Sequence, residues 1–281
     1  MVSGWIAQRR RAIWSRAAFL TAMIGLFSLP LIWTALASFG VKPDDSVSPP
    51  ACTLPPSLAS YAEVGVAEPA FWQELATSTG LSLAATLLTV TIAFLAAYSL
   101  ARSRFARKQL VVQSLLILAS LPVMAYVIPL SDTMRRLYLL DTYPGLALAE
   151  AAVNAPLAVY ILYGYVSQLL PDWEDAARLD GAALGPMLWQ VALPLIAPGV
   201  AATAIIVFVL NWNLFLVPLV LSAGRVKTIP VAMSDFFTFE RELEWPTAAA
   251  ALIISFLPLM MLVGIAHRWL EQFQLHPAQQ S

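Results

Sequence analysis

Chemistry-bearing side chains are sparse in this sequence and mostly isolated. A single cysteine, Cys52, rules out an intrachain disulfide and a thiolate metal cluster, and two lone histidines, His267 and His276, make no HExxH-type zinc site. With no second cysteine or nearby histidine to activate it, Cys52 reads as a bystander thiol. No G-x-x-x-x-G-K-[ST] run occurs, so this chain lacks the loop that cradles nucleotide phosphates in P-loop proteins. The stretch most suggestive of a task is Pro171-Asp172-Trp173-Glu174-Asp175-Ala176-Ala177-Arg178-Leu179-Asp180-Gly181-Ala182, continuing through Leu193-Pro194-Leu195-Ile196-Ala197-Pro198. Pro171 suits a helix start, and Asp172, Glu174 and Asp175 put negative charge near the free N–H groups of the first turn. Ala176, Ala177 and Leu179 offer a small apolar surface, and Gly181 suits the left-handed turn that ends a helix. A second short helix, about Pro186 to Leu193, follows. Two uses fit these residues: a knob for another protein's groove, or a connector resting on a membrane surface.

The elements that position these residues belong in a bilayer. Of 281 residues 59% are hydrophobic and 12% charged, and mean hydropathy is +0.74, whereas soluble domains run about 45–50% apolar and 25% charged. A hydrocarbon core of about 30 Å needs about 20 apolar helical residues. Six segments qualify: Ala17–Phe39, Leu75–Ala101, Leu110–Leu130, Tyr143–Tyr165, Ala201–Leu221 and Thr247–Trp269. The expected fold is all-α, a polytopic transmembrane helical bundle of six spans. Arg9, Arg10 and Arg11 before the first span, with Ala35-Leu36-Ala37 near its end, imitate a secretory signal, but the apolar run is long enough to cross and stay. With the N-terminus inside, ten basic residues (eight of them clustered at 9–16 and 102–108, with Arg178 and Arg268) fall in cytoplasmic segments and six (Lys42, Arg135, Arg136, Arg225, Lys227, Arg241) outside, which predicts that both termini are cytoplasmic. The expected organisation is a basic cytoplasmic N-terminus at 1–16, a first span at 17–39, and a largely extended, proline-rich extracytoplasmic loop at 40–74. A five-span core at 75–269 then carries the cytoplasmic loop 171–198, and a tail follows at 270–281. A net charge of −1 provides no positive field for nucleic acid.

Polar side chains within spans are costly against lipid and should face the bundle. Glu150 and Asn154, four apart, share a helix face and serve either a translocation path or a contact between helices, the latter favoured because Glu150 falls near the outer end, within reach of water. Asn211 and Asn213 are about 200° apart around a helix, so one of them should bond within the bundle. Pro30, Pro122, Pro156 and Pro258 sit inside spans, either as kinks that let helices rock or as ordinary membrane-helix irregularity.

Residue identities and spacing around Gly181 carry a resemblance. Glu174-Asp175-Ala176-Ala177, then Gly181, then after nine intervening residues Val191-Ala192-Leu193-Pro194, resembles the EAA loop of inner-membrane permease subunits in binding-protein-dependent ABC importers. Ala97-Tyr98-Ser99-Leu100-Ala101-Arg102 with Arg104-Phe105, Ile128-Pro129-Leu130, Leu139-Leu140-Asp141-Thr142-Tyr143 and Trp212-Asn213 are similar to the carbohydrate-uptake group. Leu214 departs from the acidic residue often found there. The resemblance implies docking on a cytosolic ATPase through Glu174, Ala177, Asp180 and Gly181, with Leu193 and Pro194 in the trailing motif and Glu174 meeting an ATPase cation. It implies a second permease, an ATPase dimer that holds ATP and Mg, and an extracytoplasmic solute-binding protein. No cofactor is expected on this chain, and no enzymatic activity of its own. A multi-pass place in the bacterial inner membrane, among its lipid, is likewise implied. For a sugar-like solute the candidate path residues are Trp212, Asn213, Tyr160, Tyr163, Glu150 and Asn154, though the aromatic ones suit packing and interfacial anchoring as well. The group also imports glycerol phosphates and their diesters, a second substrate class; Arg135 and Arg136 could meet a phosphate or be solvated loop cations. An ion-coupled secondary transporter is the alternative class, and it needs ionisable groups near mid-membrane, where only Glu150 comes close. A membrane enzyme would need a convergent catalytic set, and none appears.

Overall fold

A computed structural model describes residues 2–41, 43–44, 51–52, 56–64, 69–235 and 245–274. Lys42, Pro49, Pro50, Pro55, Arg241, His276 and the tail from 275 lie outside the described residues. With no water to satisfy backbone groups in apolar runs, the chain closes its hydrogen bonds within helices. In order these are α1 (Val2–Ser38), α2 (Ala59–Ala62), α3 (Pro69–Arg102), α4 (Lys108–Ala119), α5 (Val127–Arg136), α6 (Tyr143–Gln168), α7 (Pro171–Leu179), α8 (Leu184–Pro186), α9 (Leu193–Leu195), α10 (Ala197–Trp212), α11 (Leu216–Leu221), α12 (Ile229–Asp235), α13 (Trp245–Ser255) and α14 (Leu257–Gln274). A π-helical stretch, Met187–Ala192, joins α8 to α9. Within the proline-rich loop β1 (Pro43–Asp44) pairs antiparallel with β2 (Ala51–Cys52), Pro43 opposite Cys52.

Four helices among the described residues are long and apolar enough to cross a membrane: Arg16–Ser38, Ala70–Arg102, Tyr143–Gln168 and Trp245–Ala266. Leu184–Leu195 with Ala197–Trp212, bent by 80°, makes a fifth if counted as one span. The segment expected as the third span is broken. Pro122, extended at ψ 133°, follows the end of α4 and precedes a single 3-10 turn, after which α5 starts at Val127. A proline there offers no N–H to continue the ladder. The expected fifth span also divides, α10 stopping at Trp212 and α11 resuming at Leu216. By contrast Pro30 and Pro156 sit inside unbroken helices, and Thr34 Oγ1 donates to the Pro30 carbonyl at 2.9 Å.

The chain forms two compact units, Met1–Pro69 with Phe236–Ile254, and Ala70–Asp235 with Ser255–Ser281. In the first, Ser38 Oγ and the Tyr61 hydroxyl lie 2.8 Å apart in a hydrogen bond, and Thr247 Oγ1 donates to Glu63 Oε2 at 2.7 Å. In the second, the core gathers at two levels. One joins Phe94 and Tyr98 of α3 to Leu162 and Val166 of α6, Met187 and Leu188 of the π-helical stretch and Val207 of α10. The other joins Leu81 of α3 to Val127 and Met134 of α5, Leu146 of α6 and Val217 and Leu221 of α11.

Helix contact in lipid depends on close packing more than on expulsion of water, so small residues set how near two helices come. A Cβ at Gly199 of α10 would overlap the Tyr165 ring of α6, and one at Gly145 would overlap the Leu139 carbonyl. Gly199→Ala should therefore cost about 1–3 kcal/mol by overpacking. Thermal unfolding in detergent micelles should show a lowered midpoint, partly recovered when Tyr165→Leu is added; an unchanged midpoint for Gly199→Ala would refute this contact.

Candidate functional site

α7 begins where the sequence placed it. Pro171 occupies the first turn after an extended Leu170, Asp172 and Glu174 lie in that turn, and Arg178 lies in the last. Its end is closed by two backbone bonds, Gly181 N–H to Arg178 O at 3.0 Å and Ala182 N–H to Ala177 O at 2.9 Å. This Schellman arrangement requires a left-handed residue, and Gly181 supplies it at φ +81°.

Glu174 does not project outward as expected of a residue meeting an ATPase cation. It is 1% exposed, because Glu174 and the half-buried Ala177 form the inward stripe of α7. Oε1 accepts from Arg102 Nε at 2.7 Å and lies 2.6 Å from Arg102 Nη2, while Oε2 accepts from the Tyr98 hydroxyl at 2.9 Å. Arg178 Nη2 stands 4.0 Å from Oε2. Arg102 Nη2 also donates to the Leu169 carbonyl at 3.2 Å, and its guanidinium lies 5.8 Å from the Tyr98 ring centre. A buried carboxylate needs this density of donors, and stranding one by removing its partner costs about 3–5 kcal/mol.

On the outward side, Leu179 is 90% and Trp173 57% exposed. Asp172, Asp175, Ala176, Asp180 and Gly181 are exposed around them, and Arg178 Nη1 pairs with Asp175 at 3.1 Å. Sequence reasoning noted Leu179 only as part of a small apolar surface; the signal missed was its position seven residues after Asp172 and four after Asp175, on one helix face. Leu193 packs half-buried against the core and Pro194 is exposed.

The candidate path residues do not converge. Asn154 Nδ2 donates to Asn211 Oδ1 at 2.6 Å, and Asn211 Nδ2 donates to Thr86 Oγ1 at 3.2 Å, tying α6, α10 and α3 together in the interior. Asn211 is thus the asparagine that bonds within the bundle. Asn213 is exposed, its Nδ2 donating to Val209 O one turn back at 2.7 Å. Trp212 is buried and stacks on Phe208 with ring centres 5.8 Å apart. Tyr160 is exposed and Tyr163 packs half-buried against the core. Glu150, expected within reach of water, is 1% exposed, and its Oε2 meets no hydrogen-bond partner among the described residues.

A third polar cluster lies at the other end of α6. Asp141, in a left-handed turn at φ 55°, donates its N–H to Leu221 O at 2.9 Å. Its Oδ1 accepts from Ser222 Oγ at 2.7 Å and from the Arg225 and Val226 N–H groups at 3.1 Å each. Thr142 caps α6 by accepting from the Gly145 N–H at 3.1 Å. Arg135, on the exposed end of α5, pairs with Asp132 at 3.6 Å.

Apolar helices long enough to span and polar side chains bonded from helix to helix in the interior define an integral membrane protein. The chain belongs to the family of binding-protein-dependent transport system inner membrane components, which matches residues 89–275. Over 92% of its length it is 34% identical to the trehalose transport system permease protein SugB of Mycobacterium tuberculosis, covering 94% of that protein. It is 32% identical to the trehalose/maltose transport system permease protein MalG of Thermococcus litoralis, over 90% of this chain and 91% of that one. A crystal structure of a bacterial ABC transporter that imports the acidic polysaccharide alginate shares the fold, with a TM-score of 0.74 at 19% identity over 92% of this chain and 96% of that one. The protein is a multi-pass permease subunit of an ABC importer in the bacterial inner membrane.

Burial works against the Asp141 carboxylate, but the bonds from Ser222 and from the Val226, Arg225 and Ala223 N–H groups outweigh it and hold Asp141 below its ordinary value. A depressed carboxylate adds stability above its unfolded value and loses it as pH falls through the folded one. Asp141→Asn should therefore lower the unfolding midpoint at neutral pH, with the gap to the natural chain narrowing from about pH 4 downward. A gap constant with pH would show that the carboxylate charge is not what these donors hold.

Proposed function

We propose that this permease is half of a heteromeric carbohydrate importer, pairing with a second permease to form the path for a sugar or sugar-like solute delivered by an extracytoplasmic binding protein. The similarity to permeases named for trehalose and maltose supports the substrate class. In this reading the chain crosses the membrane six times with both termini cytoplasmic, counting the broken α4–α5 segment as a span. Residues 1–16 and 270–281 are cytoplasmic, 40–74 are extracytoplasmic, and the loop 171–198 faces the cytosol. ATP and Mg are bound by a partner ATPase dimer.

The observation that carries the coupling role is the outward face of α7. Leu179, 90% exposed at the end of α7 and beside the exposed Trp173, is an apolar plug accompanied by Asp172, Asp175 and Asp180. That surface fits a groove with an apolar floor and a basic rim, and the exposed Ala176 and Gly181 let it approach closely. Glu174, from the opposite side of the helix, shapes this surface rather than touching the partner.

Leu179→Asp should detach the ATPase from the tagged permease and lower uptake by at least about tenfold, since a central anchor is commonly worth 2 kcal/mol or more. Glu174→Lys, placing a cation beside Arg102, and Gly181→Pro, removing the Gly181 N–H bond to Arg178 O, should uncouple ATP hydrolysis from uptake while the subunit still inserts. A tagged chain should copurify with an ATPase and a second permease. Uptake should stop on ATP depletion and survive collapse of the proton gradient; the reverse would favour an ion-coupled carrier.

A further inference from the structure

We infer that a displacement of α7 is received by the Arg102 end of α3, through the buried Glu174 carboxylate gripped by Arg102 and Tyr98, and not by the helices to which α7 is covalently joined. This rests on the reading of α7 as the coupling element. Both covalent links of α7 are interrupted. On one side Leu169 and Leu170 are extended, at ψ 123° and 130°, so α6 and α7 share no continuous helical ladder. On the other, the left-handed Gly181 leads into the three-residue α8, the π-helical stretch and an 80° bend before α10. Non-helical and π-helical backbone is where a chain bends most easily.

The connection to α3 is of another kind. Tyr98 and Arg102 are four apart and so project from one face of α3, and they hold the two oxygens of Glu174 separately. The Arg102 guanidinium also holds the Leu169 carbonyl, on the near side of the extended link. Glu174 cannot slide along this face without exposing a buried charge to apolar surroundings. Met187, the first residue of the π-helical stretch, packs with its sulfur 3.9 Å from the Tyr98 hydroxyl, closing the same hub from the far side. α3 has 34 residues, a lever about 50 Å long, and it is joined to α10 and α6 partway along through Thr86, Asn211 and Asn154. Thr86 lies near the middle of α3, so a displacement entering at Arg102 tilts α3 about that joint.

The test is a distance measurement on the complete reconstituted importer. In a Cys52→Ser background, spin labels are attached to one pair of exposed sites spanning the start of α7 and the end of α3 (Pro171→Cys with Arg104→Cys) and to another spanning α7 and α6 (Pro171→Cys with Ala152→Cys). Between the nucleotide-free and ATP-trapped states the first distance should stay constant while the second changes by about 2 Å or more, the scale of helix shifts in switching proteins. In Arg102→Met the first distribution should broaden, and uptake per ATP hydrolysed should fall about tenfold, within the usual range of coupling between sites. A first distance that changes as much as the second, or an Arg102→Met variant with a narrow first distribution and full coupling, would overturn the proposal. Both distances fixed while solute is imported, or Leu179→Asp retaining the ATPase, would instead remove the reading of α7 on which it rests.

Discussion

A carboxylate withdrawn from water must be met by matching donors, and Glu174 imposes that constraint on the whole end of the bundle where α7 lies. Its partners come from α3, more than 70 residues earlier in the chain. α7 has to sit against the last turn of α3, with its outward face determined by which face Glu174 occupies. Leu179 and Trp173 are presented because Glu174 is not. The same guanidinium holds the Leu169 carbonyl where α6 ends, so a single ion pair orients the short helix and the segment leading into it.

Elsewhere the permease follows the same rule with neutral groups. Lipid provides no competing hydrogen bonds, so a polar side chain inside the bundle finds another helix, and Asn154, Asn211 and Thr86 form a chain across three of them. Close approach is provided by glycine, Gly199 against Tyr165 being the clearest case. At the far end of α6 the Asp141 carboxylate gathers backbone N–H groups from residues after α11, fastening two segments that lie about 80 residues apart. Glu150 stands outside this pattern, buried with one oxygen unpartnered among the described residues.

Much of this was legible before any coordinates. The apolar runs located α3, α6 and the spanning part of α1 closely, and Pro171 and Gly181 marked the two ends of α7 because each has a backbone requirement that few other residues meet. The spacing from Glu174 through Gly181 to Pro194 was enough to suggest the family. Less legible was the fate of the prolines. Pro30 and Pro156 are absorbed into continuous helices whereas Pro122 follows the end of one, and residue type alone does not distinguish them. The translocation candidates were chosen by residue type, and residue type cannot tell Trp212, stacked inward on Phe208, from Asn213, its exposed neighbour.

Composition and periodicity, on their own, settled that this is a helical membrane protein with a short acidic helix between two apolar stretches, because those properties depend on residues close together in the chain. Which side of that helix faces the bundle, and therefore that Glu174 is an internal anchor and Leu179 the presented residue, was decided only by the fold. The anchoring donors reside on α3, and no pattern within residues 171–182 contains the phase at which a distant arginine will meet them.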